Sequence, residues 1–267
     1  MDDIARYNRE RWEELPPANV LYSQPWLDLD EASARDRVDP EGGAETFSGK
    51  DVLCLAGGGG QQSAALALLG ANVTVLDLSE TQLERDRQAG RHYGLEVSTV
   101  QGDMRDLCWF GQATFDIVWH AHSLNFVPEA RPVFREVARV LREAGLYRLT
   151  CWNPLGHGID HDDWNGSGYP LRLPYVDGAE IQLADPHWKI PCDDGTCNRV
   201  RAPREFRHTL SSLLNGLVEH GFVLLAAWED TGDDPEAEPG TWQHFMSVAA
   251  PWLTFWARYG PPVFEPK

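Results

Sequence analysis

Residues 51–77 read DVLCLAGGGGQQSAALALLGANVTVLD, and this stretch decides the fold. Val52-Leu53-Cys54-Leu55-Ala56 is an apolar run short enough and β-prone enough for a buried strand. Four glycines follow at 57–60, then the helical pattern QQSAALALL, which Gly70 terminates. Asn72-Val73-Thr74-Val75-Leu76 forms a second strand and ends on the acid Asp77. Strand, glycine turn, helix, strand and acid make the first half of a nucleotide-binding α/β domain.

The residue types suit that role. Glycines let the backbone lie against a ligand because no Cβ stands in the way. The first turn of the following helix leaves its N–H groups unpaired above the loop. An acid at the tip of the second strand accepts both hydroxyls of a ribose. Two ligands fit, a dinucleotide such as NAD and S-adenosylmethionine (SAM).

Working downstream, Ser79 caps a helix that runs to about His92. Residues 95–100 make a third strand ending in Gly102-Asp103-Met104. There a carboxylate takes an adenine amine and an apolar side chain covers the ring; the plainer reading is a capped turn. Residues 114–119 are a fourth strand, running into His120-Ala121-His122. Residues 131–142 form an amphipathic helix with Val133, Phe134, Val137, Val140 and Leu141 on one face. After Gly145, residues 146–152 are the fifth strand. Strands alternating with helices imply a parallel sheet with right-handed crossovers and ligands at the carboxyl ends of its strands. Asp77, Asp103, His120, His122 and Asn153 all fall at such ends.

Outside this core, residues 1–48 hold the charged helix IARYNRERWEEL, ended by Pro16-Pro17, and then Tyr22 and Trp26. They are either an extension packed on the domain or a cap over the ligand that brings Tyr7, Trp12, Tyr22 or Trp26 to it. Residues 153–202 break the alternation with Gly, Pro, Asp, His and aromatics, and AEIQL and PHWKI are hairpin candidates. So long an irregular segment in a domain is usually functional, so it reads as a substrate lid. Residues 203–267 return to the core through a helix over 204–221, strands at 222–228 and 252–258, and a short helix in TWQHFMSVAAP. The expected fold is α/β: a Rossmann-like, doubly wound, mostly parallel seven-stranded sheet, with helices on both faces and the lid after strand five. The units are a cap (1–48), a SAM-binding core (49–152), a lid (153–202) and the C-terminal part of the core (203–267).

The formal charge of −18, with no basic stripe, argues against nucleic acid. No secretory leader pattern and no apolar run near eighteen residues is present, so a cytoplasmic chain without a membrane partner is the expectation. Five cysteines at irregular spacing describe no disulfide framework. Cys192 and Cys197 lack a second pair, and HGIDHDD reads as a solvated loop, so no metal is expected. Eleven tryptophans suggest aromatic walls around a pocket, beside ordinary core packing.

With these residues in view, the chain resembles the class I SAM-dependent methyltransferases over residues 50–258. LAGGGGQ is similar to their first motif, Asp77 to their second acid and Asp103 to their adenine-binding acid. FDIVWHAHSLNFVP and EVARVLREAGLYRLTCW are similar to their fourth strand and the helix–strand element after it. Ala56 departs from the glycine usual at the head of the first motif. More narrowly, EFRHTLSSLLNGLVEHGFVLLAAWED resembles bacterial small-molecule methyltransferases, without implying one acceptor. The resemblance implies that Ala56, Gly57, Gly58 and Gly60 pass beneath the methionine part of SAM. It implies Asp77 on the ribose, Leu78 beside the adenine, Asp103 and Met104 on the adenine edge and face, and His120 near the sulfonium. S-adenosylhomocysteine is the implied product.

Methyl transfer needs a nucleophile brought close, aligned and kept dry. A hydroxyl acceptor also needs a base, and histidine suits that. His122 is the catalytic candidate, against a structural histidine bonded to its loop. Tyr22, Asn153, His157 and His208 are the acceptor-side candidates. The lid favours a small, partly hydrophobic acceptor, with the methylated atom (O, N, S or C) open. A homodimer is also left open, because the aromatic C-terminus reads as an interface or as the last strand. The rivals are an NAD(P)-dependent oxidoreductase, for which no Tyr-x-x-x-Lys follows strand five, and a non-catalytic SAM-binding protein.

Overall fold

In β1 (Asp51–Leu55), Val52, Leu53, Cys54 and Leu55 are all fully buried, as a parallel strand covered on both faces requires. The computed structural model describes residues 1–17, 20–182, 185–191, 197–232, 234 and 236–260. Around β1 stand β2 (Asn72–Asp77), β3 (Val97–Gln101), β4 (Phe115–His120) and β5 (Leu141–Trp152). Later in the chain come β6 (His187–Pro191), β7 (Cys197–Arg201), β8 (Phe222–Asp230) and β9 (Trp252–Tyr259). The seven-stranded sheet has the order β3-β2-β1-β4-β5-β9-β8; β6 and β7 pair separately. Every pair from β3 to β5 is parallel, and only β9 runs against its neighbours.

Alternation along the strands feeds two cores. Val52, Cys54, Val73 and Val75 pack with α2 (Glu31–Val38), α3 (Gln62–Leu68) and α4 (Glu80–Tyr93) on one face. Leu53, Leu55, Val118 and Leu149 pack with α5 (Arg131–Val140) and α6 (Leu210–Glu219) on the other. The remaining helices are α1 (Asp3–Glu14) and α7 (Trp242–Ala249). None among the described residues is long and apolar enough to cross a membrane.

Three boundaries differ from the sequence expectation, each through tertiary pairing. The strand after α5 begins at Leu141, because Leu141 pairs with Phe115 and a register irregularity absorbs the next residues. PHWKI does form a strand, but its partner is CNRVR rather than AEIQL. The helix expected over 204–221 begins only at Leu210, behind the Thr209 cap. Residues 205–207 are instead extended, bonded to the backbone of 178–181. The C-terminal aromatic run is β9, between β5 and the edge strand β8, with Phe255 and Trp256 buried and Trp252 and Tyr259 half-buried; residues 261–267 lie outside those described.

One cap residue tests the packing directly. A Cβ on Gly43 would sit 2.3 Å from the ring of Trp256, which is fully buried and has no room to retreat. Gly43→Ala is expected to destabilise the fold by about 1–3 kcal/mol, the usual cost of overpacking. Urea denaturation checks it; a midpoint equal to wild type would mean that the cap segment moves aside freely.

Candidate active site

The glycine loop is held by two aspartates of its own chain. Gly58 N–H donates to Asp77 Oδ2 (3.0 Å), while Asp77 Oδ1 accepts from Ser79 N–H (2.9 Å). Gly59 and Gly60 N–H groups donate to Asp86 (3.2 and 3.0 Å), and Ser63 Oγ donates to the same carboxyl at 2.5 Å. Ala56 sits in the left-handed region (φ +47°), where the family motif places its glycine. A Cβ on Gly58 would lie 2.7 Å from Gln82 Cβ and 3.0 Å from the Asp77 carboxylate; one on Gly60 would lie 2.4 Å from the Arg85 carbonyl. The loop is therefore a cradle that side chains would fill. On its inner side Gly57 lies against Ala121, beside His122.

Burial pushes Asp77 up to about 6 and, with the Asp77 charge as a lesser cause, Asp86 up to about 7, from an ordinary 3.8. Folded values above the unfolded one mean that the folded chain binds these protons more tightly. Their contribution to stability is full below about pH 4 and is lost as pH rises to about 7. Asp86→Asn should flatten that fall, compared by urea midpoints at pH 5 and pH 8. An unchanged difference would mean that Asp86 does not titrate in this window.

Just past the ends of β3 and β2, Met104 is buried and Leu78 half-buried. Asp103 is engaged: Arg105 Nε and its backbone N–H donate to Oδ1, and Arg105 Nη2 donates to Oδ2 (2.6 Å). Arg105 also reaches Asp2 at 2.7 Å, which ties the start of α1 to the adenine acid. At the other end of α1, Glu13 accepts from the Glu80 and Thr81 N–H groups, capping α4 just past Asp77. Ser23 accepts from Gln82 Nε2, and Trp26 N–H donates to the Gly60 carbonyl. Residues 2–13 and 23–26 thus contact α4, the glycine loop and the Asp103–Arg105 pair.

The His120 ring is fully buried, with Nδ1 on Tyr147 Oη (2.7 Å) and Nε2 on Ser123 Oγ (3.0 Å), so its side chain ties β4 to β5. His122 differs. It packs edge-on to Trp252 (4.2 Å between centroids) and Trp152 (5.7 Å), which pair across β5 and β9, and its buried Nδ1 has no hydrogen-bond partner. Burial first, then His157 and His120, push its imidazole down to about 3, so it is neutral at physiological pH. His157 is buried, lies flat on Trp152 (5.3 Å, 8°) and meets Glu205 Oε2 at 3.1 Å. The same oxygen accepts from Asn125 Nδ2 (3.0 Å). The Tyr22 phenol is raised by burial around its ring and then by the Glu205 charge, although the residue keeps surface exposed. His208 is buried with Nε2 on the Leu124 carbonyl, and the His157 charge acts on it. His122 and His157 thus flank Trp152, and Glu205 bonds His157; Tyr22 packs instead edge-on to Trp12 and Trp188, and His208 stays on the Leu124 carbonyl. Asn153 does not join them as a free group; its amide is spent on Glu229 at 2.7 Å and on the turn after β5.

Glu205 and Asp86 escaped the sequence reading, Glu205 because REFRH reads as a helix start and Asp86 because a polar position on α4 reads as solvated. Among the described residues no three metal-ligating side chains cluster, and His161 pairs only with its neighbours Asp160 and Asp162. Cys192 lies outside the described residues. A surface cleft of about 400 Å³ lies at the amino ends of β1 and β2, lined by Asp51, Asn72 and Arg142, and holds none of the site residues.

Residues 53–149 match the family model described as a methyltransferase domain. An uncharacterised methyltransferase of Bacillus subtilis (strain 168) is 34% identical over 188 residues, 70% of this chain and 71% of that one. The glycine/sarcosine/dimethylglycine N-methyltransferase of Actinopolyspora halophila is 34% identical over 200 residues, 69% of this chain but 35% of the longer relative. The crystal structure of a SAM-dependent methyltransferase from Mesorhizobium loti shares the fold, with a TM-score of 0.58 and 18% identity, over 87% of this chain and 100% of that one.

Proposed function

The chain belongs to the class I SAM-dependent methyltransferases, with SAM as its cofactor, and from that premise we propose that it methylates a small, partly hydrophobic acceptor held against His122, Trp152 and Trp252. Membership sets aside the NAD(P)-dependent alternative. The observation that carries the acceptor reading is the unpartnered, buried Nδ1 of His122 between two tryptophans, beside the glycine loop.

The chain's residues fit the cofactor. The cradle at 57–60 excludes side chains, Asp77 keeps acceptor capacity for a ribose diol, and Met104 offers an apolar face for a purine. Asp103 would meet the adenine amine on a carboxylate it shares with Arg105. SAM supplies a methyl group on a positively charged sulfur, already activated for in-line displacement. The protein's part is then orientation and dryness. Trp152 and Trp252 exclude water from the side of His122 and give a flat acceptor a surface to lie on. His122, neutral because of its lowered pKa, accepts a hydrogen bond from the acceptor's O–H or N–H and aims the lone pair. Glu205 fixes the ring of His157 and, through it, the plane of Trp152.

Calorimetric titration with SAM, S-adenosylhomocysteine and NAD, followed by an acceptor panel scored by S-adenosylhomocysteine release, tests the reading. Micromolar binding of the two adenosyl-sulfur ligands and turnover of a small aromatic or aliphatic acceptor are expected. Turnover confined to protein or nucleic-acid acceptors would overturn it.

A further inference from the structure

Just past the lid lies a buried cation that methyl transfer has not yet used. Arg207 is only 4% exposed, and no described carboxylate forms an ion pair with it. Its recorded partners are uncharged main-chain carbonyls. One terminal nitrogen donates to the His157 carbonyl at 2.5 Å and the other reaches the Pro154 carbonyl at 3.4 Å. Nε is buried with no hydrogen-bond partner at all. The ring of Tyr175 lies 5.8 Å from the guanidinium carbon. Glu205, two residues earlier, does not neutralise it, because its Oε2 is bonded to Asn125 and His157.

A charge in dry surroundings is normally paired, since its desolvation otherwise goes uncompensated. The direction of the Arg207 shift agrees: burial lowers its pKa, and the Tyr175 phenol only partly opposes that. The position matters as much as the charge. Arg207 donates to the main-chain carbonyl of His157, whose ring lies flat on Trp152, so one residue separates the guanidinium from the aromatic wall of the acceptor site. A guanidinium presents its N–H groups as a planar fork that matches a carboxylate.

We propose that Arg207 is the anion receptor of the acceptor site, and that the methyl acceptor is a small molecule carrying a carboxylate on an apolar body. The proposal rests on the acceptor reading above and narrows it. Asn125, His157 and Glu205 form one hydrogen-bonded group, and Arg207, bonded to the His157 carbonyl, adds to it a cation with no carboxylate partner among the described residues.

The test uses the full chain saturated with S-adenosylhomocysteine, titrated with benzoate and with benzamide, its uncharged isostere. Tryptophan fluorescence and melting temperature are the readouts. Benzoate is expected to bind and raise the melting temperature, with benzamide at least about tenfold weaker, the scale of one charge-assisted hydrogen bond. Arg207→Gln should remove the preference while S-adenosylhomocysteine affinity stays within about twofold, and Arg207→Lys should keep part of it. Equal binding of the two probes, no binding of benzoate, or an undiminished preference in Arg207→Gln would each overturn the proposal. Should Arg207→Gln fail to fold, the ratio of the two probes on wild type decides alone. Loss of S-adenosylhomocysteine binding in wild type would instead refute the cofactor assignment, so the two failures read differently.

Discussion

Asp86→Ala is expected to weaken SAM binding about a hundredfold. Asp86 is fully buried and is the acceptor for Gly59 N–H, Gly60 N–H and Ser63 Oγ. Removing it strands Gly60 N–H and Ser63 Oγ, at about 1–3 kcal/mol for each one left buried and unsatisfied, while Gly59 N–H keeps the Gln82 carbonyl (3.2 Å). The loop escapes that cost by rearranging, and a rearranged loop no longer passes under the cofactor. About 3 kcal/mol transferred to binding is about two orders of magnitude. Asp86→Asn keeps the shape and one acceptor oxygen, so it should lose less. Calorimetry on both variants, beside a urea melt to confirm folding, checks the claim. Wild-type affinity in a folded Asp86→Ala would show that the loop holds its shape without the carboxylate.

The second large effect is on turnover. His122→Ala should lower kcat about a hundredfold and leave SAM affinity within about twofold, the low end of the range for a group that handles the transferred proton. The low end is chosen because burial pushes this imidazole down to about 3, which makes it a good hydrogen-bond acceptor at neutral pH but a weak base. The same value predicts that kcat shows no histidine-like inflection between about pH 5 and 8, since His122 stays neutral throughout. His122→Asn, which keeps an acceptor oxygen, should recover part of the loss. If affinity and turnover fell together, His122 would belong to the cofactor wall. A sharp inflection near pH 6.5 abolished in His122→Ala would mean that the folded ring is far more basic than its burial implies.

The cofactor half of the site was legible in the sequence because its chemistry is local. A glycine turn between two apolar strands needs no tertiary partner to be recognised, and the acid at the tip of the second strand follows from the same spacing. Strand, turn and acid therefore stand at Leu55, 57–60 and Asp77, and the parallel order of the first five strands follows from their alternation with helices. Candidates at strand ends were found by the same logic, although burial divided them: His122 keeps an open nitrogen while His120 spends both.

The other half depends on contacts between segments far apart in the chain. Gln82 and Asp86 form a polar stripe on α4 that a helical pattern assigns to solvent, yet both are buried because the cap and the glycine loop close over them. REFRH satisfies the helical period, but its backbone gains more by pairing with residues 178–181 than by winding. That pairing brings Glu205 onto the His157 ring and Arg207 onto the His157 carbonyl. The sequence alone determined the sheet, the cradle and the cofactor class, because each rests on neighbours in the chain. Only the tertiary structure decided which polar groups are buried and what they touch, because a side chain's surroundings depend on segments that the local pattern does not contain.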